Sequence, residues 1–197
     1  MAADPTVIEL RAGDLRSRPM TIPGSTPDVD LTRLHVDERT RASVSLVRFP
    51  PGWARPGVGH YRCAELFVVL NGALEVSGVR YAADNYGYLP ARVARADSRS
   101  QDGCLAVAWF SGPAAWSDGL PPEPAGEAAL DGRLGKGDPP AGVGGGAYGS
   151  DRVPAGPVEV PTELLWVELG RWCLLPSGAT PPPLPGPVLV RHWPQLS

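Results

Sequence analysis

Short apolar runs broken by glycine and proline, with no helical period between them, dominate the chain from Thr40 to Ser111. Residues 42–49 (ASVSLVRF) are rich in apolar and β-branched side chains and stop at Pro50-Pro51-Gly52, which predicts a strand. A second strand is predicted over residues 65–70, closed by Asn71-Gly72, a pair suited to a tight hairpin turn. Residues 73–76 follow, then a turn at Ser77-Gly78 and a strand over 79–82. Residues 86–89 lead into Pro90, and 104–110 end at Ser111-Gly112-Pro113. Short strands punctuated in this way predict an all-β sandwich or barrel.

The character changes between residues 112 and 157, where glycine and proline dominate. Pro121-Pro122-Glu123-Pro124, Pro139-Pro140 and Gly144-Gly145-Gly146 have little to bury and favour extended or mobile backbone. Only residues 127–134 suggest a short helical turn. The stretch reads as a surface linker or as a lid over a barrel mouth. Alternation resumes over 162–175, with Leu164, Trp166 and Glu168 on one face and Leu165, Val167 and Leu169 on the other. Residues 188–193 predict a last strand.

Composition narrows the function classes. An apolar fraction of 43% suffices for a packed core. The formal net charge of −3 gives no reason to expect nucleic acid or an acidic membrane as partner. No run approaches the ~20 apolar residues that span a bilayer, and the first ten residues lack the pattern of a secretory signal. A cytoplasmic location is the expectation. Cys63, Cys104 and Cys173 lie far apart with no CxxC pair, which argues against a disulfide framework or a structural zinc. Lys136 is the only lysine, so a buried cation here is expected to be arginine.

The stretch from Gly52 to Gly72 carries the strongest signal. It runs Gly52, five residues, Val58, Gly59, His60, four residues, Glu65, six residues, Gly72. This resembles the first motif of the cupins, with Val58 where that motif has its first histidine. The second motif is matched only by Pro90, with Asp84, Arg92, Arg95 and Arg99 at its other marked positions. The flanks Arg48-Phe49-Pro50-Pro51-Gly52 and Asp102-Gly103-Cys104-Leu105 resemble the ChrR-type branch, as do Asp14-Leu15 and Leu34-His35-Val36-Asp37-Glu38. The resemblance covers roughly residues 5–113. It implies a cupin jelly-roll β-barrel with Gly/Pro-rich loops, and a dimer by family habit. The expected organisation is a cupin core with N-terminal strands over 1–113, a linker or lid over 114–157, and C-terminal strands over 158–197. Those strands complete the barrel or form a degenerate second cupin half, and their return to the barrel is the expectation because the tail is short.

A cupin of the usual kind holds a divalent metal on three histidines and a carboxylate, a donor set that suits several transition ions. The resemblance leaves His60 and Glu65 from that set and puts the guanidinium of Arg95 at the last ligand position. A fixed cation repels a divalent ion, so the expectation is no metal; an ion, if bound, would sit on His60 and Glu65. Arg95 and Glu65 would pair at the old metal position, as a salt bridge alone or as a proton-transfer site with His60. Val58, Phe67, Tyr86, Tyr88, Trp109, Trp166 and Trp172 are the expected walls of a substrate cavity. The expected function is a metal-independent enzyme that cyclises, isomerises or eliminates on an apolar, polyketide-like small molecule. The alternatives are a non-catalytic binding or sensor cupin, and a metal-dependent oxygenase or hydrolase with an atypical ligand set. Arg92 and Arg99 are expected at the surface, and His35 and His192 carry weak claims to any role.

Overall fold

A computed structural model describes residues 5–123, 126–139 and 146–193. In chain order the strands are β1 (Ile8–Glu9), β2 (Arg18–Met20), β3 (Val29–Val36), β4 (Ser43–Phe49), β5 (Trp53–Tyr61), β6 (Glu65–Val76), β7 (Val79–Ala82), β8 (Asn85–Leu89), β9 (Arg95–Ser100), β10 (Cys104–Phe110), β11 (Trp116–Asp118), β12 (Leu130–Arg133), β13 (Ala147–Gly149), β14 (Thr162–Trp166), β15 (Arg171–Leu175) and β16 (Val188–His192). The class is all-β, with no helix among the described residues, and so none long and apolar enough to cross a membrane. The chain divides into two compact units, one of residues 16–133 and one of residues 1–15 with 134–197.

The larger unit is one curled antiparallel sheet in the order β11-β5-β9-β6-β10-β4-β3-β2, with β7 and β8 also paired to β6 and β12 to β8. Its core gathers Val29, Leu31, Val47, Trp53, Phe67, Val69, Leu74 and Ala106. Strand β6 corrects the expected hairpin at Asn71-Gly72, because the chain passes straight through that pair as one strand. Gly72 takes φ +74°, and a Cβ there would lie 2.1 Å from the Gly103 carbonyl oxygen. Beside it, the β6–β10 register shifts at Leu105/Ala106. A glycine at a bulge bends a strand without ending it. The first part of β6 therefore pairs with β8 and β10, and the last part with β7 and β9. The turn at Ser77-Gly78 is present, with both residues at positive φ as a primed hairpin turn requires. The helical turn expected over 127–134 is instead β12. Its Gly132 lies against Tyr86, where an added Cβ would meet the hydroxyl at 2.5 Å, so only glycine lets this strand approach β8.

The smaller unit is a five-stranded antiparallel sheet in the order β1-β15-β14-β16-β13. The C-terminal strands pair with one another and with β1 and β13, so they do not extend the barrel sheet as expected. Enough apolar surface is present for a separate core, built from Leu164, Trp166, Cys173, Leu175, Val188 and Val190. Glu163 is fully buried here and accepts hydrogen bonds from the indole N–H groups of Trp172 and, at 3.1 Å, Trp193. Arg191 lies 3.6 Å from the same carboxylate. Burial pulls this guanidinium down to about 10, against the attraction of Glu163. The expected linker or lid over 114–157 contains β11, β12 and β13, while its Pro124, Pro140, Gly144 and Gly145 lie outside the described residues.

The three cysteines are buried and free. Burial pushes the Cys104 thiol up to about 12 and the Tyr81 phenol up to about 12. An unfolded thiol loses its proton near 9.0, so between these values the folded chain holds more protons than the unfolded one. This contribution is complete below pH 9.0 and is lost as pH rises towards about 12. The melting temperature is expected to fall from about pH 9 upwards, and Cys104→Ala to flatten the fall. An unchanged slope in that variant would refute the assignment.

Candidate functional site

The barrel unit encloses a cavity of about 1080 Å³. Its apolar wall includes Leu31, Val47, Phe67, Leu89 and Ala106, and its charged groups are six arginines and a single carboxylate, Glu65. In a chain of net charge −3 this is a strong local excess of cations.

Strand β5 supplies one wall. Trp53, Arg55 and Tyr61 point into the cavity, and Gly59 lies opposite the inward Arg95 of β9. The β5–β9 register shifts between Arg55 and Val58, where Gly57 takes φ +87° and, across the pair, Asp97 takes φ +45°. Gly59 leaves room for Trp116 of β11, whose ring lies 2.1 Å from where a Cβ would stand. The Arg55 guanidinium packs 3.8 Å from the Trp116 ring, and its Nη2 donates to Ser98 Oγ at 3.5 Å. Its Nη1 donates to the Tyr61 hydroxyl at 3.4 Å. Burial, then the nearby Glu65, raises the Tyr61 phenol above the ordinary tyrosine range despite the opposing pull of Arg55 and Arg95. Tyr61 therefore stays protonated.

Arg95 is the most deeply buried of the arginines that line the cavity. Its side chain is 3% exposed, its Nη1 donates to Glu65 Oε2, and its guanidinium lies 4.6 Å from the centre of the Tyr61 ring. The Nε and Nη2 donors of Arg95 are buried without a hydrogen-bond partner among the described residues, as is the Ser45 hydroxyl on the cavity wall. Unpaired buried donors are costly, so these call for oxygen atoms from a ligand or from water.

No family model matches the sequence, and no curated protein is significantly similar to it. Solved structures do match. A proposed dioxygenase of Nostoc punctiforme aligns over 98% of this chain and 84% of its own, with a TM-score of 0.68 and 15% identity. The barrel has the cupin fold. A cupin-like protein of Thermotoga maritima aligns over 54% of this chain and 89% of its own, at TM-score 0.44 and 17% identity. The Rhodobacter sphaeroides SigE complex with the anti-sigma ChrR aligns over 51% of each chain, at TM-score 0.42 and 22% identity.

The usual cupin metal does not fit this donor set. His60 is absent from the cavity wall: its Nδ1 sits 3.2 Å from the Gly119 carbonyl oxygen, beneath the loop that follows β11. Glu65 is already engaged by Arg95, and no group of three or more His, Cys, Asp or Glu residues gathers among the described residues. The reason His60 misses the site is the period of two along a strand. Trp53 is fixed in the core, so Arg55, Gly59 and Tyr61 follow it inward, and Val58 and His60 face the other way.

The remaining expected residues are distributed unevenly. Phe67 lines the cavity, whereas Val58 is exposed. Tyr86 and Tyr88 are buried but do not line it, and the Tyr88 hydroxyl donates to Glu127 at 3.1 Å. Trp109 alternates with the cavity-lining Ala108 and Phe110 and faces away from them. Trp166 and Trp172 belong to the smaller unit and take no part in the barrel's cavity. Arg92 and Arg99 are exposed, paired with Glu123 and Glu75. Sequence reading missed Arg55, Tyr61 and Trp116. A signal existed for the first two, which share the parity of the core residue Trp53.

Proposed function

We propose that the barrel is a metal-independent cupin site for a small organic anion, and that it catalyses a non-redox proton shift on that anion. The observation that carries the reading is the buried, part-unpaired guanidinium of Arg95 in a cavity whose other charges are five arginines and Glu65. An arginine binds carboxylate or enolate oxygen bidentately, and its charge is strengthened by exclusion of water. The expected ligand changes from a wholly apolar molecule to an anion with an apolar body. Arg95 occupies Glu65 Oε2, and Oε1 accepts no hydrogen bond among the described residues. In an isomerisation Oε1 takes the proton from a carbon next to the ligand's carbonyl. The C–H electrons move to the carbonyl oxygen, which Arg95 holds as an enolate, and the proton then returns to carbon.

A second reading, a binding or sensing cupin, is favoured by the single acid–base carboxylate in the cavity and by the distance of His60 from it. Oxygenase or hydrolase chemistry on a metal finds no support in the donor set.

Octanoate and α-ketooctanoate separate these readings. Wild-type protein stripped with chelator is expected to bind both and to exchange the C–H next to the ketone in deuterated water. Glu65→Gln is expected to keep binding and lose exchange. Binding without exchange in the wild type supports the sensor, and exchange that requires added metal overturns the metal-independent reading.

A further inference from the structure

The arginines of the cavity fall into two sets by depth. Arg55 and Arg95 are buried, whereas Arg16, Arg18, Arg33 and Arg41 line the same cavity from exposed positions. Strand register explains the outer set. Arg18 of β2 lies opposite Leu31 of β3, and Arg33 follows Leu31 by two residues on the same face. Arg18 and Arg33 are therefore diagonal neighbours, close enough for long side chains to reach one group. Like charges at such positions repel. The crowding is visible at Arg33, which is held below the ordinary arginine range by burial and then by the charges of Arg18 and Arg41.

Arg41 has Glu38 as a counter-ion at 3.1 Å, but Arg16, Arg18 and Arg33 form no ion pair among the described residues. The same cavity wall carries the apolar side chains of Leu31, Val47, Phe67 and Ala106, interrupted by the Ser45 hydroxyl next to Arg33. Cation clusters at two depths in a cavity with these apolar side chains match a molecule charged at both ends.

We infer that the ligand is an organic dianion, with one anionic end on Arg95 and the other on Arg16, Arg18 and Arg33 at the cavity rim. This rests on the anion-binding reading above and adds to it the second charged group. The apolar middle of the molecule lies along Val47 and Phe67. The rim cations also raise the local concentration of the dianion before it enters, so binding is expected to weaken with salt.

Calorimetric titration of the full chain tests this with matched pairs: hexanoate and hexanedioate, octanoate and octanedioate, decanoate and decanedioate. For at least one length the diacid is expected to bind about tenfold tighter than the monoacid. The double variant Arg18→Ala/Arg33→Ala is expected to cut that advantage to about twofold or less, weakening the monoacid, which meets the rim only through its long-range field, by less than the diacid. Its melting temperature, read alongside, reports that the exposed substitutions leave the fold intact. Equal affinities at every length, or an advantage that survives the double variant, overturn the dianion while the anion-binding reading stands. Failure of monoacids and diacids alike overturns both. The matched ω-phosphonocarboxylate distinguishes the outer group: tighter binding than the diacid assigns a phosphate there, weaker binding a carboxylate, and either supports the dianion.

Discussion

Arg95→Met is expected to lower the stability of the barrel unit by about 3 kcal/mol or more, because it strands the Glu65 carboxylate in a largely buried position. The pair is 3% and 14% exposed, so water compensates little for the lost guanidinium. Adding Glu65→Gln to that variant removes the stranded charge and is expected to recover most of the loss. Octanoate binding behaves differently. It is expected to vanish in Arg95→Met and to stay absent in the double variant, although the fold is restored. Urea titration and calorimetry on the same three proteins measure both quantities. Recovery of binding together with stability would show that Arg95 serves only as a structural counter-ion.

The second large effect lies in the smaller unit. Glu163→Leu removes the carboxylate on which Trp172, Trp193 and Arg191 converge, and is expected to cost about 3–5 kcal/mol. Burial already works against the Arg191 cation, and the substitution deletes the charge that opposes this effect. Glu163→Gln keeps an acceptor oxygen and is expected to cost less. Hydrogen exchange of the β14–β16 amides during urea unfolding follows the loss of this unit, because tryptophan fluorescence also reports the buried Trp53 and Trp109 of the barrel. Equal stability of the Leu and Gln variants would rule out the charge as the cause.

The legibility of the chain followed the chemistry of its inward faces. Strands β4 and β10 carry apolar residues and are read easily from the sequence. Strand β9 (RADSRS) shows no apolar pattern at all, because its inward residues include Arg95 and Ser98 of the cavity. A strand that builds a polar site hides its own period. Strand β5 is obscured by Arg55, Pro56 and Gly57 in its middle. The spacing from Gly52 to Gly72 still led to the cupin fold and to Glu65, and the spacing of the second motif to Arg95, since a motif's length survives when its residues change. It misdirected the reading of His60, because spacing counts residues along the chain and does not fix which face a strand presents. The rim arginines were unreadable for another reason: β2, β3 and the Arg41 turn meet only through tertiary register.

The backbone at Gly57 has a consequence for how such barrels change over time. With Arg55 held inside, the loss of one codon between Arg55 and Val58 would turn Val58 and His60 inward and carry Tyr61 out. The same stretch of gene thus encodes two lining sets, and an in-frame deletion or insertion, without any substitution, passes from one to the other.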